Sequence, residues 1–119
     1  DGGKPRGTEE GSTLEKLIID TWDMKLWWPH SEALYTTLLL YDITGKIKWA
    51  NTYAKMEDYV FATFPNYDKT IGEWIQIRNR QGEPMEKVVA LPVKDPFHII
   101  RNFILIIRLL GEHDAPRKI

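Results

Sequence analysis

The sequence predicts a mainly helical fold with one β-hairpin. Three stretches, residues 29–44, residues 46–64 and residues 96–110, carry apolar side chains at helical spacing or are apolar almost throughout. A fourth stretch, residues 73–79, alternates apolar and polar side chains as a half-buried strand does. The chain has 119 residues, of which 43% are hydrophobic and 28% are charged, and this composition is ordinary for one globular unit.

The N-terminal residues 1–21 are predicted to form a flexible or irregular segment. Residues 1–13 are rich in glycine and charge and carry almost no apolar side chain. The apolar residues between positions 14 and 19 could form a short strand or a helical turn, and we favour the strand. Because the chain begins with Asp and not Met, we expect it to be a piece of a longer protein or a processed form.

The first two predicted helices should form an antiparallel hairpin. The first begins near Pro29, because proline suits the first turn of a helix. Gly45 is a typical residue for its C-terminal stop. The second helix is amphipathic and ends before Pro65. The link between them is so short that the two helices should run in opposite directions.

The stretch after Pro65 predicts the β-hairpin and a third helix. Residues 73–79 and residues 85–91 are the two predicted strands, joined by a turn. Asp95 is a suitable N-cap for the third helix, and Gly111 is its expected stop. Residues 112–119 would follow as a frayed tail.

The third predicted helix is apolar nearly all round. Its polar interruptions are few and include His98, Arg101 and Asn102. A helix of this kind needs other elements on all sides. Two further helices and one hairpin are too few to surround it, and we therefore expect more protein around it.

Composition excludes several classes of function. The net charge of −1 gives no electrostatic preference for nucleic acid or anionic membranes. The absence of cysteine excludes disulfides and thiol catalysis, and the three histidines lack metal-ligand spacing, so we predict no metal. No apolar run is long enough to cross a membrane. We predict a cytoplasmic protein without a cofactor, and the sequence carries no signal for or against a nucleotide effector.

Residues 25–32 concentrate side chains that are typical of carbohydrate sites. The run Lys-Leu-Trp-Trp-Pro-His-Ser-Glu contains two tryptophans, a histidine and a carboxylate. Tryptophan offers a large flat apolar face for sugar C–H groups, and polar groups orient hydroxyls. Histidine titrates near neutral pH. The run therefore indicates a sugar site near the start of the first helix.

Three segments of the chain resemble the N-acylglucosamine 2-epimerase family, also called renin-binding proteins. The run WDMKLWWPHSEA at residues 22–33 fits a family segment without a gap, and Gly72-Glu73-Trp74 and residues 94–101 match in the same order. The resemblance implies that residues 22–111 form the C-terminal part of an (α/α)6 barrel. Such a barrel has twelve helices in two concentric rings, with the sugar site where the inner-ring helices begin.

The resemblance implies an isomerase that interconverts N-acylglucosamine and N-acylmannosamine. In the open-chain aldehyde the C2 proton is acidic, so one group can remove it and another can return a proton on the opposite face. The second acid/base histidine of the family lies outside these residues. We therefore expect the isolated chain to be inactive, with the remainder of the barrel or another copy of the chain as its partner, and we expect a homo-oligomer.

Two catalytic residues follow from the resemblance. His98 matches a histidine that acts as one acid/base group, and Glu32 matches a carboxylate that is important for activity. Glu32 would hold a histidine in one tautomer or bind a sugar hydroxyl. From the residues alone, the favoured interpretation of His98 is a histidine packed in the core. For Glu32 the alternative stays open that it is an exposed first-turn acid that stabilises the helix dipole.

Four further residues are predicted to bind substrate: His30, Trp28, Arg101 and Lys94. His30 would orient the sugar or form hydrogen bonds around it. Related sugar epimerases and isomerases on this barrel tend to carry a different residue there, so the resemblance favours the N-acyl sugar branch. Neighbouring residues diverge, so we expect Trp28 to face the sugar and Trp27 to pack in the core.

Arg101 lies one turn after His98 and so on the same face of the third helix. It could polarise a carbonyl or enolate oxygen, or it could form an ion pair with a neighbouring helix. Ile100 stands where the family usually has proline, and the loss of that proline could change the start of the helix and with it the position of His98.

Two other interpretations stay open. One is a non-catalytic helical module that binds carbohydrate or associates with itself through an exposed apolar face. The other is a related aldose epimerase or aldose–ketose isomerase on the same barrel.

Overall fold

The computed structural model describes residue 7, residues 10–87 and residues 96–114. These residues form four helices: α1 (Thr13–Thr21), α2 (Trp27–Thr44), α3 (Ile47–Thr63) and α4 (Pro96–Asp114). They also form two short strands, β1 (Lys25–Leu26) and β2 (Ile77–Arg78), which pair antiparallel. The prediction of a mainly helical fold is confirmed.

Residues 14–19 lie in α1, so the strand that we favoured there is wrong. Ser12 caps this helix, because its hydroxyl accepts a hydrogen bond from the backbone N–H of Glu15 at 3.1 Å. Leu14 and Leu17 follow the spacing of a helix but are 67% and 43% exposed. Capping and helical spacing therefore determine α1, which buries none of its own residues.

The antiparallel hairpin of α2 and α3 is confirmed. Gly45 ends α2 in the left-handed conformation, with φ of 62°, and its N–H donates to the carbonyl of Tyr41 at 2.8 Å. Lys46 then caps α3. Near the end of α3, Val60 and Phe64 are fully buried and join the core.

The core lies where α2 meets α3 and α4. Among the described residues, α2 packs extensively against both α3 and α4. The buried side chains that form this cluster are Trp27, Leu34, Leu38, Val60, Phe64 and Ile106.

The helices α2 and α4 run parallel. Near the start of each helix the ring of Trp28 contacts that of His98, and one turn further along Ser31 bonds to Asn102. Because these contacts advance towards the C-terminus along α2 and α4 alike, the two helices run in the same direction. Both helices consequently begin at the same end of the structure.

The start of α2 lies two residues earlier than predicted. Trp27 begins the helix, and its N–H donates to the carbonyl of Gln76 at 3.0 Å. Pro29 is thus the third helical residue. The first N–H groups of a helix have no acceptor within it, so the N–H that proline lacks costs no helical hydrogen bond. His30 and Glu32 fall at the fourth and sixth positions, so Glu32 lies beyond the first turn.

The predicted hairpin is present in a short form. Asn79 and Glu83 close its turn, with the backbone N–H of Asn79 donating to the carbonyl of Glu83 at 2.9 Å. Regular strand pairing joins β2 to β1, which precedes α2, and only two residues of the predicted strand 73–79 take part. Of the predicted return strand 85–91, residues 88–91 lie outside the described residues.

The helix α4 continues through Gly111 to Asp114, so the stop predicted at Gly111 is wrong. A glycine inside a helix costs only about 1 kcal/mol relative to alanine, and the helix tolerates it. The face of α4 that packs on α2 is buried, whereas Phe97 and Ile107 on the rest of the helix are 63% and 67% exposed. Among the described helices, none combines the length and the hydropathy that membrane crossing requires.

Candidate active site

Glu32 of α2 and His98 of α4 contact each other at the end where both helices begin. Nδ1 of His98 lies 2.8 Å from Oε1 of Glu32. The side chain of Glu32 is 30% exposed and that of His98 is 29% exposed, so solvent reaches both. An ionised carboxylate only accepts hydrogen bonds, so Nδ1–H of His98 donates, and in the neutral imidazole the lone pair is then on Nε2. In this tautomer Nε2 is the basic atom.

Arg101 binds the same carboxylate from one turn further along α4. Its Nη1 lies 3.3 Å from Oε1 and 3.2 Å from Oε2 of Glu32. The same Nη1 donates to Oδ1 of Asn102 at 2.9 Å. The guanidinium carbon also lies 5.8 Å from the ring centroid of Tyr35, within cation–π range. A fixed positive charge therefore lies beside the pair of Glu32 and His98, where it can stabilise a developing anion.

The pKa of Glu32 is below its usual value. Desolvation by burial is the largest influence and raises the pKa. It is outweighed by hydrogen bonds from His98 and Asn102 together with the positive charge of Arg101. Glu32 is therefore ionised at neutral pH, the state in which it accepts the Nδ1–H of His98.

Trp28 exposes its indole beside His98. The two ring centroids are 5.2 Å apart and the ring planes are inclined by 36°. Trp28 is 43% exposed, whereas its neighbour Trp27 is 7% exposed and belongs to the core cluster. The predicted packing role of Trp27 is confirmed. The contact of Trp28 with sugar stays a prediction.

His30 faces α3. Its Nδ1 lies 2.6 Å from the carbonyl of Leu26, and its ring centroid lies 4.9 Å from that of Phe64 and 5.7 Å from that of Tyr59. Burial lowers the pKa of His30, although the hydrogen bond to Leu26 acts in the opposite direction. Burial therefore favours the neutral imidazole, and the contacts with Phe64 and Tyr59 place the ring next to α3. Its predicted role in substrate binding stays a prediction, and Lys94 lies outside the described residues.

Two buried residues of the site, Ser31 and Asn102, were absent from the predicted set. Both are 0% exposed. Nδ2 of Asn102 donates to the hydroxyl of Ser31 at 3.1 Å, and that hydroxyl donates to the carbonyl of Trp28 at 2.9 Å. The available signal was an asparagine inside an apolar helix one turn after His98, because a buried amide needs hydrogen-bond partners.

A cleft of about 430 Å³ opens between the start of α4 and the segment that precedes β2. It is lined by Trp27, Gly72, Glu73, Trp74, Gln76, Pro96, Ile99 and Ile100. Neither Glu32 nor His98 belongs to this lining, so the contact between those two residues lies outside the cleft. The position of this cleft therefore does not coincide with the contact between Glu32 and His98.

Known proteins match most of this chain. Residues 11–101 match the family model described as N-acylglucosamine 2-epimerase. The chain is 34% identical over 90 residues to N-acylglucosamine 2-epimerase of Mus musculus and 38% identical over 90 residues to that of Bos taurus. Each match covers 76% of this chain and 21% of the relative. The chain therefore spans about a fifth of the length of the curated relatives it matches.

Solved structures show the same architecture. The cellobiose 2-epimerase from Bacillus thermoamylovorans B4167 matches with a TM-score of 0.63 and 26% identity, over 71% of this chain and 22% of that one. The cellobiose 2-epimerase from Spirochaeta thermophila DSM 6192 has a TM-score of 0.65 at 17% identity, over 77% of this chain and 23% of that one, and supports the fold alone. These neighbours are (α/α)6 barrels, and the predicted architecture, a part of such a barrel, is confirmed. The chain belongs to the N-acylglucosamine 2-epimerase family.

Proposed function

We propose that this chain forms part of the active site of a sugar 2-epimerase that interconverts N-acylglucosamine and N-acylmannosamine. One observation carries the proposal: the carboxylate of Glu32 contacts both an imidazole and a guanidinium, those of His98 at 2.8 Å and Arg101 at 3.2 Å. A carboxylate, a base and a cation are the groups that proton abstraction next to a carbonyl requires. The relatives are N-acylglucosamine 2-epimerases, and the proposal takes the class of substrate from them.

In the proposed reaction, Nε2 of His98 accepts the C2 proton of the open-chain aldehyde. The electron pair of the broken C–H bond forms a C1–C2 double bond, and negative charge develops on the carbonyl oxygen. Arg101 stabilises that charge. Glu32 holds His98 by the Nδ1–H and stabilises the imidazolium that forms, as the carboxylate of a catalytic triad does.

The reaction is completed when a proton returns to C2 on the opposite face and the carbonyl re-forms. The second acid/base group, as the family resemblance implies, lies outside these residues. One proton is removed from C2 and one is returned to it, so the reaction consumes no co-reactant. The chain therefore supplies one side of the acid/base machinery, and we propose that it is inactive alone.

The shape of the structure supports the proposal that other helices of the barrel complete the site. The radius of gyration is 17.4 Å, compared with about 13.5 Å for a compact domain of this length. On α4, the apolar residues Phe97, Ile100 and Ile107 are 63%, 56% and 67% exposed. We propose that α2 and α4 are inner-ring helices, that α3 is an outer one, and that the missing helices cover the exposed face of α4.

The remaining assignments are proposals of the same kind. We assign residues 22–111 to the barrel, together with residues 112–114, which continue α4 and which the sequence had placed in a tail. A homo-oligomer and a cytoplasmic location are expectations from the sequence, the second of which the lack of cysteine favours only mildly.

A substrate panel on the full-length protein tests the proposed function. N-acetylmannosamine and cellobiose are supplied separately, and the 2-epimer of each is measured by chromatography. We expect turnover of N-acetylmannosamine to exceed that of cellobiose. Preference for cellobiose would contradict the proposed substrate, and turnover by the isolated 119-residue chain would contradict the proposed incompleteness of the site.

A further inference from the structure

Asn102 is a fully buried amide inside the apolar helix α4, and it links two parts of the candidate site. Its Oδ1 accepts from Nη1 of Arg101 at 2.9 Å, and its Nδ2 donates to the hydroxyl of Ser31 at 3.1 Å. Ser31 in turn donates to the backbone carbonyl of Trp28 at 2.9 Å. A continuous hydrogen-bonded path therefore joins the Arg101 guanidinium to the first turn of α2.

We propose that Asn102 is a positioning residue, whose carboxamide holds the Arg101 guanidinium against Glu32 and fixes the first turn of α2 relative to α4. This inference rests on the proposed function, because it assigns Asn102 to the catalytic use of Glu32, His98 and Arg101. Asn102 is too deeply buried to touch a sugar itself, and it acts through Arg101 and Ser31.

The geometry at Arg101 identifies Asn102 as the anchor. Arg101 is 42% exposed, and a long side chain with that much contact to solvent samples several rotamers unless it is held. Of the three acceptors around its Nη1, Oδ1 of Asn102 at 2.9 Å is closer than the two Glu32 oxygens at 3.3 Å and 3.2 Å. Asn102 is also rigid, since burial in α4 leaves it no room to move.

The bond to Ser31 gives Asn102 its second function. Ser31 is 0% exposed and lies between Trp28 and Glu32 on the first turns of α2. Because Asn102 ties Ser31 to α4, the carboxylate of Glu32 and the exposed indole of Trp28 keep their distance from His98. Small errors in such distances lower reaction rates by large factors.

A purely structural role makes a different prediction. Leucine has nearly the shape of asparagine and suits a buried helical position, so replacing the amide by an apolar group can be almost neutral for stability. If Asn102 only fills space, Asn102→Leu will retain activity. If Asn102 positions Arg101, the same variant will fold and lose rate.

The test uses the full-length protein with Asn102→Leu, the milder variant Ser31→Ala, and Asn51→Leu on the exposed surface of α3 as a matched control. We measure kcat, KM and the pH profile of kcat/KM with N-acetylmannosamine, and thermal unfolding for each variant. We expect kcat of Asn102→Leu to fall about tenfold to a hundredfold, with KM changed less than threefold. The acid limb of the kcat/KM profile of Asn102→Leu should move to higher pH, because Arg101 is no longer held by Asn102 and stabilises the ionised carboxylate of Glu32 less. Asn51→Leu should match the wild type.

A second readout separates this inference from the proposed function. The 13C resonance of the Glu32 carboxyl is titrated by NMR in the wild type and in Asn102→Leu, and we expect its midpoint to rise in the variant. If the wild type epimerises no sugar but the midpoint rises, the proposed function fails and the positioning role stands. An unchanged midpoint with unchanged kcat overturns the positioning role. If Asn102→Leu does not fold, Ser31→Ala decides, and an unchanged acid limb and kcat in that variant overturn the inference.

Discussion

Nδ1 of His98 and Oε1 of Glu32 lie 2.8 Å apart, although the two residues are 66 positions apart in the sequence. They meet because α2 and α4 run parallel and begin at the same end. The contact leaves the histidine in the tautomer whose Nε2 is basic. It also explains why a partly exposed carboxylate stays ionised, since His98, Asn102 and Arg101 all favour the charged form of Glu32.

The charge of Glu32 is expected to be essential to the reaction. Glu32→Gln keeps the shape of the side chain but cannot stabilise an imidazolium at His98 in the same way. We expect kcat of the full-length protein to fall about a hundredfold or more, with little change in KM. Steady-state kinetics with N-acetylmannosamine checks this, and Glu57→Gln on α3 is the control. A loss of less than threefold for Glu32→Gln would remove this carboxylate from the mechanism.

The two adjacent tryptophans should respond differently to alanine. Trp27 is 7% exposed and lies in the core, so Trp27→Ala should lower the free energy of unfolding by about 3–5 kcal/mol. Trp28 is 43% exposed beside His98, so Trp28→Ala should leave stability nearly unchanged and raise KM about threefold to tenfold. Urea unfolding and steady-state kinetics on both variants check this pair. An unchanged KM for Trp28→Ala would place the sugar elsewhere.

Stability should depend on pH in two separate windows. The pKa of His30 is lower in the folded protein than its usual 6.5, because burial opposes its charge. The unfolded chain therefore binds more protons below about pH 6.5, and stability is lost as the pH falls through that region. The pKa of Glu32 lies below its usual 4.5, so its contribution is present above pH 4.5 and is lost only in more acidic solution.

Urea unfolding at a series of pH values separates these two windows. His30→Gln should flatten the slope that begins near pH 6.5 and leave the acidic slope intact. Glu32→Gln should do the reverse, flattening only the slope below pH 4.5. A wild-type slope near pH 6.5 that persists in His30→Gln would assign it to another group.

Two glycines should respond to alanine with opposite signs. Gly45 has φ of 62°, and no atom lies within 4 Å of an added Cβ, so Gly45→Ala tests the backbone alone. We expect it to lower the free energy of unfolding by about 1–2 kcal/mol. Gly111 is helical with equally open surroundings, so Gly111→Ala should raise the free energy of unfolding by up to about 1 kcal/mol. Denaturant unfolding measures both changes in the free energy of unfolding. If the two substitutions change it in the same direction, the left-handed cap at Gly45 is contradicted.

The helical hairpin could be predicted because its signals are local. Apolar spacing and the glycine at position 45 are both visible in a short window of sequence. The start of α2 could not be predicted in this way, since the N–H of Trp27 is satisfied by the carbonyl of Gln76 from a distant segment. For residues 14–19 the local signal of a helix is the cap at Ser12, whose hydroxyl accepts from the N–H of Glu15.

The candidate site was predictable only in part. The family resemblance identified His98 and Glu32, helical spacing added Arg101, and the structure brings these three together. Periodicity alone left His98 as a core residue of an apolar helix. The amide of Asn102 escaped prediction because its role depends on which residue of α2 it faces, and sequence spacing within α4 does not contain that information.

The central claim is that His98, held by Glu32, removes the proton at C2 of the sugar. The most direct measurement is hydrogen exchange at C2 of N-acetylmannosamine in D2O, followed by NMR with the full-length protein and its His98→Asn variant. We predict that the wild type incorporates deuterium at C2 and that His98→Asn does not. Exchange at C2 by His98→Asn at the wild-type rate would contradict the account.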